Sequence, residues 1–131
     1  MTGMSADDFV AGIRMAVYRA AVDGVLRQLT KPVGRKPRAD LAELSAWFNQ
    51  LGTHDKDRVA AVAERAAYQA VFGMMAVLDG VRTIDDDYSD LYLRTGDGTL
   101  LNEEHDLHEL FQIGVDHELG HVDEFGRPRL V

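Results

Sequence analysis

The spacing of apolar and polar positions along the chain predicts a mainly helical protein. Ser5 and Asp8 fit an N-terminal capping box, and apolar side chains then recur every four positions up to Leu29. Those apolar residues are Phe9, Ile13, Val17, Ala21, Val25 and Leu29. The same reasoning predicts four helices, at about 5–29, 41–51, 54–79 and 103–119.

Local signals set the expected ends of these helices. Asp40 is the expected N-cap of the second helix, and Gly52 is expected to end it in a left-handed conformation. Trp47 and Phe48 are the expected core anchors of that helix, and Gly80 is expected to stop the third helix.

The segment between the third and fourth helices is expected to form a β-hairpin. Asp97-Gly98 lies between two short apolar runs, which is a typical hairpin signal over about 90–101, and Asn102 is the expected N-cap of the last helix. The fold-class prediction is therefore mainly α (α+β), with four helices and one β-hairpin inserted between helix 3 and helix 4. A single compact domain is expected over residues 1–131.

Composition narrows the class of protein. The chain has 131 residues, 46% of them apolar, and no cysteine, which excludes a disulfide framework or a thiolate site. The start of the chain lacks the pattern of a secretory signal. The most apolar stretch, 66–78, is shorter than the roughly 20 residues that span a bilayer. We therefore expect a cytoplasmic protein with no membrane segment.

Charge is distributed unevenly. The chain has 22 acidic and 14 basic side chains, and residues 84–131 hold 13 of the acids but only three of the bases. This acidic C-terminal third would repel phosphate backbones, so nucleic acid is not expected as a partner. The only basic cluster lies in the connection 30–38, and the sequence leaves open whether it contacts the acidic region of the same chain or of another subunit.

The charge pattern predicts a protein-binding module that docks a basic protein. Complementary potentials speed encounter and exclude wrong partners, a device used by tight inhibitors of basic toxins. An immunity-like or antitoxin-like inhibitor, or an adaptor, would have this size and charge. The predicted partner-binding residues are Asp85, Asp86, Asp87, Glu103, Glu104, Asp106, Glu109 and Asp116.

An alternative enzyme hypothesis comes from residues 117–121, which match H-E-x-x-H. The motif resembles the zinc-binding helix of the zincin metallopeptidases. That resemblance covers five residues and implies that His117 and His121 bind zinc, with Glu118 as the general base of a zinc-dependent hydrolase. Under the binding-module prediction no cofactor is expected. Zinc belongs to this alternative, or to a metal site without catalysis, which the sequence leaves open as a third possibility.

Two observations favour a different interpretation of the motif. Zincins take a third ligand downstream, often a histidine six residues on, where this chain has Arg127. Gly120 and the histidines also fit the C-terminus of a helix. The negative end of the helix dipole lies there and attracts partly positive side chains. We call this the helix-end interpretation.

His105 and His108 form a second histidine pair upstream of the motif. Their three-residue spacing can hold a metal, but a polar flank beside the apolar stripe of the last helix is the favoured interpretation. His54, far from both pairs in sequence, is expected to be exposed rather than a third ligand.

Overall fold

The computed structural model describes residues 3–86 and 90–120, and over these ranges the protein is mainly α. A first continuous helix consists of α1, a π-helical segment and α2, and three further helices, α3 to α5, follow. Their bounds are α1 Ala6–Ile13, the π-helical segment Arg14–Arg19, α2 Ala20–Thr30, α3 Ala39–Asn49, α4 Thr53–Leu78 and α5 Leu107–Glu118. The prediction of a mainly α fold with four helices is confirmed over the described residues.

The structure does not support the predicted β-hairpin. Thr95 and Thr99 close the expected turn through a 2.9 Å backbone hydrogen bond, but the flanking residues form only one isolated bridge, between Arg94 and Leu100. No strand occurs in the described residues. Asp-Gly therefore predicted the reversal of the chain correctly and the strands beside it incorrectly.

The side chain of Asn102 explains why the ladder stops. Its Oδ1 accepts the N–H of Leu93 at 3.0 Å, and its Nδ2 donates to the carbonyl of Leu91 at 2.7 Å. These backbone groups are satisfied by a side chain, so they take no part in a second bridge. The predicted role of Asn102 as the N-cap of the last helix is wrong, since α5 begins at Leu107 with Asp106 as its N-cap.

The first helix begins as predicted and then departs from the predicted pattern. Ser5 and Asp8 form a complete capping box. Beyond it, Tyr18 and Val22 are buried, whereas Val17 and Val25 of the predicted stripe are exposed. Successive residues of an α-helix are rotated by about 100°, so residues four apart are offset by about 40° beyond a full turn. A stripe with this spacing therefore drifts away from the buried face.

The chain divides into two compact units. The terminal unit consists of Met1–Val17 and Ala70–Val131, and the middle unit consists of Tyr18–Gln69. In the terminal unit α1 packs against α5, and Leu107, Phe111 and Val115 of α5 are buried.

In the middle unit α2 packs against α3. Asn49 ties the two helices together, because its Nδ2 donates to the carbonyl of Thr30 at 3.1 Å. Phe48 is buried as predicted, but Trp47 is 49% exposed, so its prediction as a core anchor is wrong. Adjacent residues on a helix point about 100° apart, and only one of the two can face α2.

The caps of α3 also differ from the sequence prediction. Arg38 rather than Asp40 is the N-cap, and Asp40 accepts the N–H of its own neighbour Leu41 at 2.9 Å. Gly52 does not take a positive φ. The helix ends at Asn49, before Gly52 is reached, so no left-handed residue is needed there.

The end of α4 forms as the sequence predicts. Gly80 has a φ of 78°, and its N–H donates to the carbonyl of Val77 at 3.1 Å. The N–H of Val81 donates to the carbonyl of Ala76 at 3.0 Å, which completes a Schellman motif. No helix in the described ranges combines the length and the apolar character needed to cross a bilayer.

We expect Phe111→Ala to lower the free energy of unfolding by about 3–5 kcal/mol, because Phe111 is 0% exposed and its removal leaves a cavity in the core of the terminal unit. Ile113→Ala on the same helix is the matched control, since Ile113 is exposed, and it should change the free energy by less than about 0.5 kcal/mol. Urea denaturation followed by circular dichroism measures both. Equal losses in the two variants would contradict the assigned burial.

Candidate functional site

A buried carboxylate links the end of α4 to the start of α5 in the terminal unit. Asp79 directly follows α4, and its side chain is 0% exposed. Its Oδ2 accepts the backbone N–H of His108 at 2.8 Å and also pairs with the Nδ1 of the same residue. The first N–H groups of a helix lack partners inside the helix, so Asp79 supplies the side-chain cap that Asp106 does not make.

The backbone of Asp79 holds a second histidine. The Nδ1 of His105 lies 3.0 Å from the carbonyl oxygen of Asp79. A carbonyl oxygen only accepts, so this nitrogen of His105 carries the hydrogen. His105 has a φ of 54°, a left-handed conformation that turns the chain just before α5.

Asn102 completes this polar cluster, which consists of Asp79, Asn102, His105 and His108. Its Nδ2 donates to the carbonyl of Leu78 at 2.6 Å, in addition to its bonds with the backbone of residues 91 and 93. The residue is buried. The cluster therefore joins the end of α4, the turn-containing connection and the start of α5.

The chemistry available at His108 is that of an imidazole oriented by a carboxylate. Its ring packs edge-on against Phe72, with 5.6 Å between the ring centroids, and its Nε2 lies 4.0 Å from Oε1 of Glu109. An Asp–His pair of this kind can orient a metal ligand. However, no group of three or more His, Asp or Glu within 3–86 and 90–120 could hold a metal ion. What the cluster visibly does is fix the backbone.

The H-E-x-x-H motif begins at the C-terminus of α5. His117 and Glu118 are the last two residues of the helix, and Gly120 follows with a φ of 75° while donating to the carbonyl of His117 at 3.2 Å. His121 lies outside the described residues, so the zinc pair His117 and His121 remains a prediction. Among the described residues α5 ends at Glu118, whereas the argument for a shared helix face assumes a helix that continues from His117 onward.

Glu118 has a partner on the first helix. Its Oε2 lies 3.7 Å from Nε of Arg14, and Nη1 of Arg14 donates to the carbonyl of Gly114 at 2.8 Å. Gly114 allows this approach, since a Cβ there would lie 2.9 Å from Nη1 of Arg14. Arg14 thus places a cation near the C-terminal end of α5, where the helix dipole is negative.

Most of the predicted partner-binding acids are at the surface. Those exposed to solvent are Asp85, Asp86, Glu103, Glu104 and Glu109. Asp106 and Asp116 are half-buried, and Oδ1 of Asp106 is buried without a hydrogen-bond partner in the part of the chain that the structure describes. Asp87 lies outside the described residues. Asp106 and Asp116 are therefore less available to a partner than the five exposed acids.

The turn at residues 95–99 carries its own carboxylate. Hydrogen bonds from the Thr95 hydroxyl, and then from the hydroxyl and N–H of Thr99, lower the pKa of Asp97. A lowered pKa in the folded state means that the contribution to stability is present above the unfolded-state pKa and is lost as pH falls through the folded value. Asp97 therefore stays charged and holds the turn at neutral pH.

Sequence reasoning missed Asp79 and Arg14 as structural residues. The available signal for Asp79 was an acid placed between a long apolar helical segment and the Gly80 stop, where exposure cannot be assumed. For Arg14, nothing local in the sequence indicated that the carbonyl of Gly114 would be its partner.

No known protein family, curated protein sequence or solved structure matches the chain.

We expect Asp79→Ala and His108→Ala each to lower the free energy of unfolding by about 1–3 kcal/mol, because each removal leaves a buried polar partner unsatisfied. The double variant should lose less than the sum of the two, with a coupling of about 0.5–3 kcal/mol. Gln112→Ala, at an exposed position of α5, is the control. Additive losses would show that the two side chains do not act together.

The helix-end interpretation predicts that Glu118→Gln lowers the free energy of unfolding by up to about 1 kcal/mol, since it removes the charge that faces Arg14.

The helix-end interpretation also predicts far less than one equivalent of zinc per chain after dialysis against zinc and removal of excess metal. Atomic absorption measures the metal. About one equivalent per chain, lost in His117→Ala, would instead support the zinc hydrolase alternative.

Proposed function

We propose that the protein is an interaction module that docks a basic protein through an acidic surface of the terminal unit. This acidic surface consists of Asp85, Asp86, Glu103, Glu104 and Glu109. Inhibitors that neutralise basic toxins, and adaptors that recruit basic proteins, are the functional classes that such a surface serves.

The exposure of these acids, and the lack of charge pairing at Glu103 and Glu104, support the proposal. Glu103 and Glu104 form no ion pair with any described residue. The one base in residues 84–120, Arg94, lies over the ring of Tyr92 at 5.9 Å and contacts the carbonyl of Gly98 at 3.4 Å. The negative charge of the acidic surface is therefore left for a partner to compensate.

The position of Glu103 and Glu104 between two anchored residues is the observation that carries the proposal. Asn102 precedes them and is buried with three hydrogen bonds, and His105 follows them with its ring on the carbonyl of Asp79. The backbone that carries both carboxylates is thus fixed before a partner arrives. Preorganisation lowers the ordering cost of binding, so each charge contributes more to affinity.

The test compares two double charge reversals that change the net charge equally. Glu103→Lys with Glu104→Lys alters the acidic surface, and Asp55→Lys with Asp57→Lys alters exposed acids of α4 in the middle unit. We expect the first to weaken binding to immobilised cytochrome c and poly-L-lysine about tenfold or more, and the second to have a much smaller effect. Surface plasmon resonance at about 0.05 M and about 0.5 M NaCl gives the affinities and their dependence on screening.

Two results would contradict the proposal. One is equal weakening by both double variants, which would indicate a response to net charge rather than to the acidic surface. The other is an affinity of the unaltered protein that does not change with salt, since exposed charge pairs are screened at high ionic strength. Circular dichroism of each variant confirms that the helices are retained.

A further inference from the structure

The outward face of α3 in the middle unit exposes two large apolar side chains. Leu44 is 51% exposed and Trp47 is 49% exposed, whereas Phe48 on the neighbouring face is buried. Together with Asp40 and Glu43 they line an open groove of about 420 Å³. We call this the α3 groove. An exposed aromatic side chain beside another exposed apolar side chain is typical of a protein–protein contact.

The segment just before α3 has the complementary chemistry. Residues 31–38, here called the basic loop, carry the exposed cations Lys31, Arg35, Lys36 and Arg38. Val33, between them, is 70% exposed. The basic loop thus combines an apolar side chain with positive charge, whereas the α3 groove combines apolar side chains with negative charge.

The pairing within one chain leaves most of these charges uncompensated. Arg38 forms an exposed ion pair with Asp40 at 3.1 Å. Neither Arg35 nor Lys36 has an ion pair or hydrogen bond with a described residue, and the same holds for Glu43. The loop and the groove are therefore both open to a second molecule.

We propose that two copies of this chain associate through the middle unit, with the basic loop of each copy docked in the α3 groove of the other. Val33 lies against Leu44 and Trp47, and the cations of the loop face Glu43 and Asp40. One surface carries both halves of the contact, so a two-fold axis lets each copy supply the same loop and groove to the other. Such an isologous contact is the commonest form of homodimer.

This proposal does not depend on the proposed function, since it uses the middle unit and none of the residues of the acidic surface. Trp47 is the only tryptophan in the chain and lies in the groove itself. Its fluorescence therefore reports directly on whether the groove is covered.

The first measurement is sedimentation velocity of the full chain from about 1 µM to about 1 mM, a range that covers weak to moderate dimers. We expect the weight-average mass to rise toward that of a dimer, with a blue shift of the Trp47 emission over the same concentrations. A chain that stays monomeric throughout, or a dimer whose Trp47 emission does not change, would overturn the proposal.

The second measurement is a charge-swap complementation. Glu43→Lys places a cation in the groove, and Lys36→Glu places an acid in the loop, so each variant alone repels itself at both contacts. We expect each to raise the dimer dissociation constant at least about tenfold, and an equimolar mixture to recover dimers because both contacts are then attractive. The control Asp57→Lys reverses an exposed acid of α4 in the same unit and should dimerise normally.

The apolar half of the contact has its own control. Leu44→Ala should weaken the dimer, whereas Val62→Ala, which trims an exposed apolar side chain of α4, should not. A dimer that survives both Glu43→Lys and Leu44→Ala would lie on another surface and would overturn the proposal, as would a mixture that stays monomeric.

Discussion

The terminal unit depends on how the buried carboxylate of Asp79 is satisfied. A carboxylate without partners in an apolar interior is costly, and Asp79 avoids part of this cost by accepting the N–H of His108 and pairing with its ring. The same contact fixes where α5 begins, because it supplies the cap that the preceding residue does not make. Oδ1 of Asp79 has no hydrogen-bond partner among the described residues, so the cluster is only partly compensated. Its role in positioning α5 is therefore obtained at some cost in stability.

Elements whose partners lie nearby in sequence could be predicted. The capping box at Ser5 and the Schellman motif at Gly80 are closed by groups within a few residues, so composition and spacing were sufficient. Asn102 was assigned to a nearby helix by the same logic, but its partners are backbone groups of residues 78, 91 and 93. A local pattern does not encode such partners, which explains why the hairpin and the start of the last helix were both misplaced.

Apolar periodicity identified the helices better than it identified their buried faces. Adjacent aromatic residues Trp47 and Phe48 both fit a core position, yet a helix of two or three turns packed on one side can bury only one of them. In the first helix each step of four residues overshoots a full turn by about 40°, so a stripe extrapolated from Phe9 has left the buried face by Val17. On α3, the exposed apolar residues Leu44 and Trp47 line the α3 groove.

Resolving charge by position separates acids with different physical roles. Asp79 is buried and structural, Glu118 faces Arg14, and Glu103 and Glu104 are exposed on a fixed backbone. In the acidic surface one sign dominates, so its residues cannot neutralise one another. The middle unit carries charges of both signs beside exposed apolar side chains. A second copy of the chain can therefore supply the opposite charges and cover those side chains. A dimer formed through the middle unit would bring two acidic surfaces into one particle, and a basic partner with two sites would then gain avidity without any new contact.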